Sequence, residues 1–188
     1  MRNKNSEMDA EMITALYKLK NEQEAVIADD VLTVTNVLTK FDALMDKMDE
    51  ARVPAAGRLL YADTYTKTLI DTAKEAARNL SATDTAVARS LDRIGEVEVI
   101  GVPTSAMKSA YTFKETDGFE VAAGAKDVKM LLVHPSAVIP VIAYDFAELG
   151  APSSLSKGKW TYFEESFEDV FIFNKKHAGI QFYIEKSA

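Results

Sequence analysis

The sequence predicts an α+β fold. Two segments near the N-terminus carry apolar side chains at helical spacing. Several later segments are apolar runs or alternations of strand length. Turn formers are scarce: there are 8 glycines and 5 prolines in 188 residues, roughly 7% together where about 12% is average. Such a composition argues against an all-β chain of many tight turns and against a low-complexity linker, and favours helices mixed with strands.

The first helix is expected from Ser6 to Ala25, with Ser6 as cap and Glu7, Asp9 and Glu11 at the positive end of its dipole. Met8, Met12, Ala15, Leu16 and Leu19 form its apolar stripe. Asp29-Asp30 interrupts the pattern, and a second helix is expected from Thr35 to Ala51, with Val37, Leu38, Phe41, Leu44, Met45 and Met48 on one face. Pro54 and Gly57 follow its end. Arg58 to Ala62 reads as a short buried strand, and Thr64 to Asn79 as a third helix capped by Asp63 or Thr64 and packed through Leu69, Ala73 and Ala76.

Ser81 to Thr85 is polar and read as a loop. Val97 to Val102 reads as a strand stopped by Pro103, with a helical turn over Thr104 to Lys108. Gly118 and Gly124 mark turns in the less regular stretch from Phe113 to Lys129. Met130 to Val133 is an unbroken apolar run and the expected central strand. Pro135 and Ser136 are expected to open a helix reaching Phe146. Leu149 to Lys159 is the most loop-like segment and is expected to be mobile; Trp160 to Phe173 and Ile180 to Glu185 are expected to pair as a β-hairpin across a turn at Asn174 to Gly179.

Hydrophobic residues make up 47% of the chain, enough for a sizeable core in one large domain or two small ones. The formal net charge of −7 offers no basic footprint for nucleic acid. The absence of cysteine removes disulfides, zinc–thiolate sites and thiol nucleophiles, and fits a reducing compartment. The first twelve residues contain no apolar core of a secretory signal, and no segment approaches the roughly 20 apolar residues that span a bilayer.

The sequence contains no G-x-S-x-G nucleophile elbow, no G-x-G-x-x-G and no P-loop. His134 and His177 lie far apart, and neither has a second ligand at metal-binding spacing. His134-Pro135-Ser136 could set an acid–base pair at a strand-to-helix turn, but no third orienting group is readable beside it; a strand end followed by a helix cap explains the same residues. His177 reads as a solvated turn residue. Glu164, Glu165, Glu168 and Asp169 could suggest paired carboxylates or a divalent ion. In an aromatic-rich strand they read instead as a charged face that discourages edge pairing. No catalytic, cofactor-binding or metal-binding residue is therefore expected, and no cofactor. The residues point to a chain whose role is contact.

Five stretches resemble the major capsid proteins of tailed bacteriophages, the family with the Hong Kong 97-type fold. In chain order they are Ser6 to Ala10, similar to the acidic opening of the family's spine helix; Asp46 to Tyr65, with its Val-Pro, arginine loop, apolar strand and helix; Val99 to Met107; Lys129 to Val138; and Phe167 to Glu185. Asp63 stands where the family often has proline. The resemblance covers almost the whole chain.

The resemblance implies a spine helix over residues 1–30 as part of a peripheral domain and an axial domain over 31–159 with a central mixed sheet flanked by helices. It further implies a C-terminal hairpin over 160–188 joining the two. The family's N-terminal arm and extended loop have no counterpart here, so the first helix is expected to be under-packed and to project or seek another copy. The implied role is a structural subunit of a bacteriophage or prophage icosahedral capsid, without enzymatic activity. It would self-assemble into hexameric and pentameric capsomers that enclose DNA. Its partners would be copies of itself, and scaffolding and portal proteins, with no sequence-specific nucleic acid and no membrane. It would be assembled in the host bacterial cytoplasm and found in the virion. The alternatives are a small α/β hydrolase-like enzyme and an encapsulin-type shell protein.

Overall fold

A strand covered on both faces needs an uninterrupted apolar run, and the segment ending in Met130 to Val133 supplies one. In the computed structural model, which describes residues 12–18, 27–29, 31–80, 93–94, 97–114 and 118–185, this segment is one of the two central strands of the main sheet. The described elements are, in order, helix α1 (12–18), β1 (Ile27–Asp29), α2 (Val37–Glu50), β2 (Leu59–Asp63), α3 (Thr64–Leu80), β3 (Arg93–Ile94) and β4 (Val97–Val102). There follow β5 (Tyr111–Phe113), β6 (Phe119–Val121), β7 (Val128–Val133), β8 (Val138–Gly150), β9 (Thr161–Ile172) and β10 (Ile180–Glu185).

Six strands form one mixed sheet in the order β1-β10-β7-β2-β4-β3. β7 runs antiparallel to β10 and to β2, with Leu132 opposite both Gln181 and Leu60. β2 and β4 are parallel, as are β1 and β10. α3 supplies the crossover from β2 toward β4, the connection that parallel neighbours require.

Alternation along the strands sends side chains to two cores. Leu60, Ala62, Met130 and Leu132 face α2 and α3, where they meet Val37, Phe41, Leu44 and Met48 of the second helix and Leu69, Ile70 and Ala73 of the third. Leu131, Val133, Ile180 and Phe182 face the opposite way, onto α1. α2 ends where Arg52 turns left-handed (φ 58°) and the Val53 N–H reaches back to the Met48 carbonyl at 2.9 Å. α3 starts on Asp63, whose Oδ1 accepts from the Thr66 N–H at 2.7 Å, the cap that the sequence suggested.

Three expectations are corrected. The first helix is not under-packed where it is described: Ile13 and Leu16 are buried against the sheet, and Tyr17 packs edge-on to Phe182 at 5.5 Å between ring centres. The positions of Met8 and Leu19, and the loop expected at Ser81 to Thr85, lie outside the described residues.

The helix expected after Pro135 is a single 3₁₀ turn, Pro135–Ala137, followed by the long strand β8. Val138, Ile139, Val141 and Ile142 are β-branched, which suits a strand. Pro140 fits because β8 belongs to a two-stranded ribbon, whose strands have an open edge that needs no N–H there.

The hairpin expected within residues 160–188 is not formed. β9 pairs with β8 along twelve rungs from Val138↔Ile172 to Gly150↔Thr161, with an irregularity between Ile142 and Tyr144. β10 instead enters the main sheet between β1 and β7. Ile180 to Ile184 are all buried, so this strand needs neighbours on both edges and cover on both faces, which a hairpin could not give. A second, shorter hairpin, β5–β6, stacks Tyr111 edge-on to Phe119 at 5.2 Å.

Candidate functional site

Among the described residues, two exposed apolar surfaces are the first candidates. One is the β8–β9 ribbon. A lone two-stranded hairpin has no third strand to shelter its faces, and this one leaves Phe146, Leu149, Trp160, Tyr162, Phe163 and Phe171 exposed. Cross-strand register puts Phe146 and Phe163 on one face, 6.2 Å apart between ring centres, with Glu148 and Glu165 beside them. Leu149 and Tyr162 are paired on the other face, flanked by Glu164.

The connection between the two strands is a built turn. The Ser153 N–H donates to Ser156 Oγ at 2.9 Å and the Ser156 N–H donates back to Ser153 Oγ at 3.2 Å. The Gly158 N–H reaches the Ser153 carbonyl at 3.0 Å, across Lys157 and Gly158, both left-handed at φ 51° and 75°. At its apex Leu155 is 95% exposed.

The other surface is a cleft on the α1 side of the sheet. α1 covers β7 and β10, but Leu59, Tyr61, Ile100 and Val102 of β2 and β4 remain only half-buried beside it. The space between has a volume of about 410 Å³ and is walled almost wholly by apolar side chains, with Met12 and Leu16 on the helix side and Pro103, Pro135 and Pro140 at the ends of strands.

A third feature is charged. Lys129 lies in the central strand, with Nζ 3.2 Å from Asp63 Oδ2, 3.7 Å from Glu185 Oε2 and 4.0 Å from Asp127 Oδ2. Burial pulls its ammonium downward, but the Asp63 carboxylate, in charge and hydrogen bond, together with Glu185 and Asp127 outweighs that and leaves it above the usual lysine value. Glu185 Oε1 also accepts from the Leu32 N–H at 2.9 Å, and Asp127 binds Lys108 Nζ at 2.6 Å. The network therefore ties β7, β10, the start of α3 and the loop before β7 together. A lysine at a central-strand position was the legible signal for it, since a charge there must be paired.

Of the residues singled out from the sequence for chemistry, His134 and Ser136 meet, and no carboxylate joins them among their described hydrogen-bond partners. His134 Nδ1 lies 2.8 Å from Ser136 Oγ and accepts from the Ser136 N–H at 3.2 Å, while its Nε2 donates to the Ala56 carbonyl at 3.2 Å. That second nitrogen, held by a backbone carbonyl, fastens the α2–β2 loop to the end of β7. His177 sits half-buried in the 3₁₀ turn Asn174–Gly179. Glu164 and Glu165 are exposed on β9, and the side chains of Glu168 and Asp169 lie outside the described residues. Among the described residues there is no group of three or more His, Cys, Asp and Glu able to hold a metal ion, and no helix long and apolar enough to cross a membrane.

No protein-family model matches this sequence, and no curated protein matches it. Solved structures do match in fold. A chain from Mycobacterium phage Che8 is similar over 95% of this chain and 58% of its own, with a TM-score of 0.62 and 13% identity. A chain from the capsid structure of cyanophage P-SCSP1u is similar over 97% of this chain and 62% of its own, with a TM-score of 0.62 and 11% identity. The fold is thus the α+β fold of phage capsid proteins, as the resemblance implied. The chain spans about three fifths of the length of the chains it matches.

Proposed function

We propose that the chain is a structural subunit of a bacteriophage or prophage icosahedral capsid, self-assembling into hexameric and pentameric capsomers that enclose DNA. The observation that carries this reading is the sharing of a phage capsid fold over nearly the whole chain. In this reading α1 belongs to the peripheral domain and the sheet with α2 and α3 to the axial domain; the β8–β9 ribbon crosses the boundary expected at residue 159. Scaffolding and portal proteins would be its further partners, and the host cytoplasm its place of assembly.

The physics of the surface supports the same role. A shell subunit works through area and complementarity rather than a catalytic cleft. A ribbon with exposed Trp160, Tyr162 and Phe163 gives the aromatic, amphipathic side chains that interfaces favour. A net charge of −7 keeps the subunit from clamping onto packaged phosphate backbones.

The test is electron microscopy of the purified chain together with sedimentation velocity. Capsomer-sized rings or closed shells are the expected result. A chain that sediments as a monomer at every concentration and salt condition tried would overturn the proposal.

A further inference from the structure

We propose that the apex of the β8–β9 ribbon of one copy, led by Leu155 and Trp160, seats in the α1-side cleft of a second copy. The inference rests on the shell-subunit reading and names the contact through which copies would join.

The apex is prepared to present a side chain. The reciprocal Ser153–Ser156 hydrogen bonds and the left-handed Lys157–Gly158 pair fix its backbone while leaving Leu155 95% exposed. A non-glycine residue held left-handed is a small local cost that recurs at functional turns. A leucine held out on a fixed turn loses little conformational freedom on binding. Behind it, Leu149, Trp160 and Tyr162 are exposed as well, and Phe163 is exposed on the opposite face of the ribbon from Leu149 and Tyr162.

The cleft matches in chemistry and size. A cavity of about 150 Å³ accepts one benzene ring, so a cleft of about 410 Å³ has room for two or three side chains of that bulk. Beside it, Lys176 Nζ is held 3.3 Å from the Ser136 carbonyl, next to Pro135 of the cleft wall. The ribbon stem behind the apex carries exposed Glu148, Glu164 and Glu165, opposite in sign.

The occupant cannot be the same copy's apex. Val138 and Pro140 at the root of β8 are themselves part of the cleft wall. The 13 residues of β8 carry the apex roughly 40 Å away at a strand's rise per residue. A second copy supplies the same apex from outside. Each chain then carries both an apex and the cleft that receives it, a head-to-tail contact that closes into a ring when its rotation allows.

The chain has no cysteine, so introduced thiols report cleanly. A Leu155→Cys chain is mixed with a Val102→Cys chain and oxidised, and the disulfide-linked heterodimer is followed on a non-reducing gel. The control is Leu155→Cys with Ala76→Cys; Ala76, expected in the packing face of α3, is instead exposed, on the helix across the sheet from the cleft. The Val102 pair is expected to cross-link at least tenfold faster than the control. Equal rates would overturn the proposal, as would faster Leu155→Cys homodimers, which would put apex against apex. In parallel, Leu155→Asp is expected to weaken association at least tenfold with an unchanged melting temperature. Normal particles from Leu155→Asp would overturn this contact and leave the shell reading standing; a wild-type chain that never associates would overturn both.

Discussion

Lys129 Nζ and Asp63 Oδ2 lie 3.2 Å apart with both residues buried, and the other oxygen of the same carboxylate caps α3. One side chain therefore neutralises a cation in the central strand and starts the helix that packs over it. Asp63→Ala is expected to cost about 2–3 kcal/mol, because it removes a cap and the nearest of the three carboxylates around the buried ammonium, leaving Glu185 and Asp127 at 3.7 and 4.0 Å. Asp63→Asn, which can keep the cap, should lose less. Urea unfolding of both variants against wild type reads the difference.

Alkaline pH should unfold the chain earlier than unperturbed side chains would allow. Burial pushes the Tyr111 phenol up to about 12; its hydroxyl donates to the Ser105 carbonyl at 2.7 Å and accepts from the Lys108 N–H at 2.9 Å. Tyr17 is raised by burial, and Lys129 is raised by the carboxylates around it. All three folded-state values lie above the unfolded ones. Their contribution to stability is full below about pH 10 and is lost as pH rises through the folded values. Urea midpoints should hold between pH 7 and 9 and fall between about pH 10 and 12, and Tyr111→Phe should flatten part of that fall.

Arg58 is buried and joins the end of α2 to β2. Its guanidinium binds Asp49 at 2.5 Å and the carbonyls of Val53 and Pro54 at 2.6 and 2.9 Å. Arg58→Ala should cost about 3 kcal/mol or more, since it leaves carbonyls unpaired and a void behind. Lysine should not rescue it, because one ammonium cannot reproduce the fork. Asp49→Ala should cost about 1–3 kcal/mol: Asp49 is largely solvated, but it is the carboxylate bound to a fully buried guanidinium, which then keeps only the two carbonyls. Thermal melts of the three variants rank them.

Much of the fold was legible because local pattern and burial agree there. Val37 to Met48 repeats its apolar side chains at helical spacing and buries them on one face. The unbroken run ending in Met130 to Val133 is a strand covered on both sides. The failures lie where local pattern underdetermines the partner. Pro135-Ser136-Ala137 looks like a helix start, but the β-branched residues after it and Pro140 belong to an open ribbon edge. Proximity in sequence suggested β9 with β10, whereas the burial of Ile180 to Ile184 demands an interior place in the sheet. Of the candidate surfaces, loop composition located the apex at 149–159 but not its serine-stapled turn. The cleft was invisible, because it is formed by α1 covering only half of a sheet face.

Exposed and buried leucines should separate folding from assembly. Leu44→Ala, at a site with no solvent access, should cost about 2–5 kcal/mol. Leu155→Ala should stay within about 0.5 kcal/mol of wild type in urea unfolding and yet weaken self-association in sedimentation.

Cryo-electron microscopy of the purified wild-type chain under assembling conditions tests the central claim most directly. The account predicts rings or closed shells in which each ribbon apex lies against the α1 side of a neighbouring copy. Dispersed monomers across protein concentration, salt and crowding agents would contradict it.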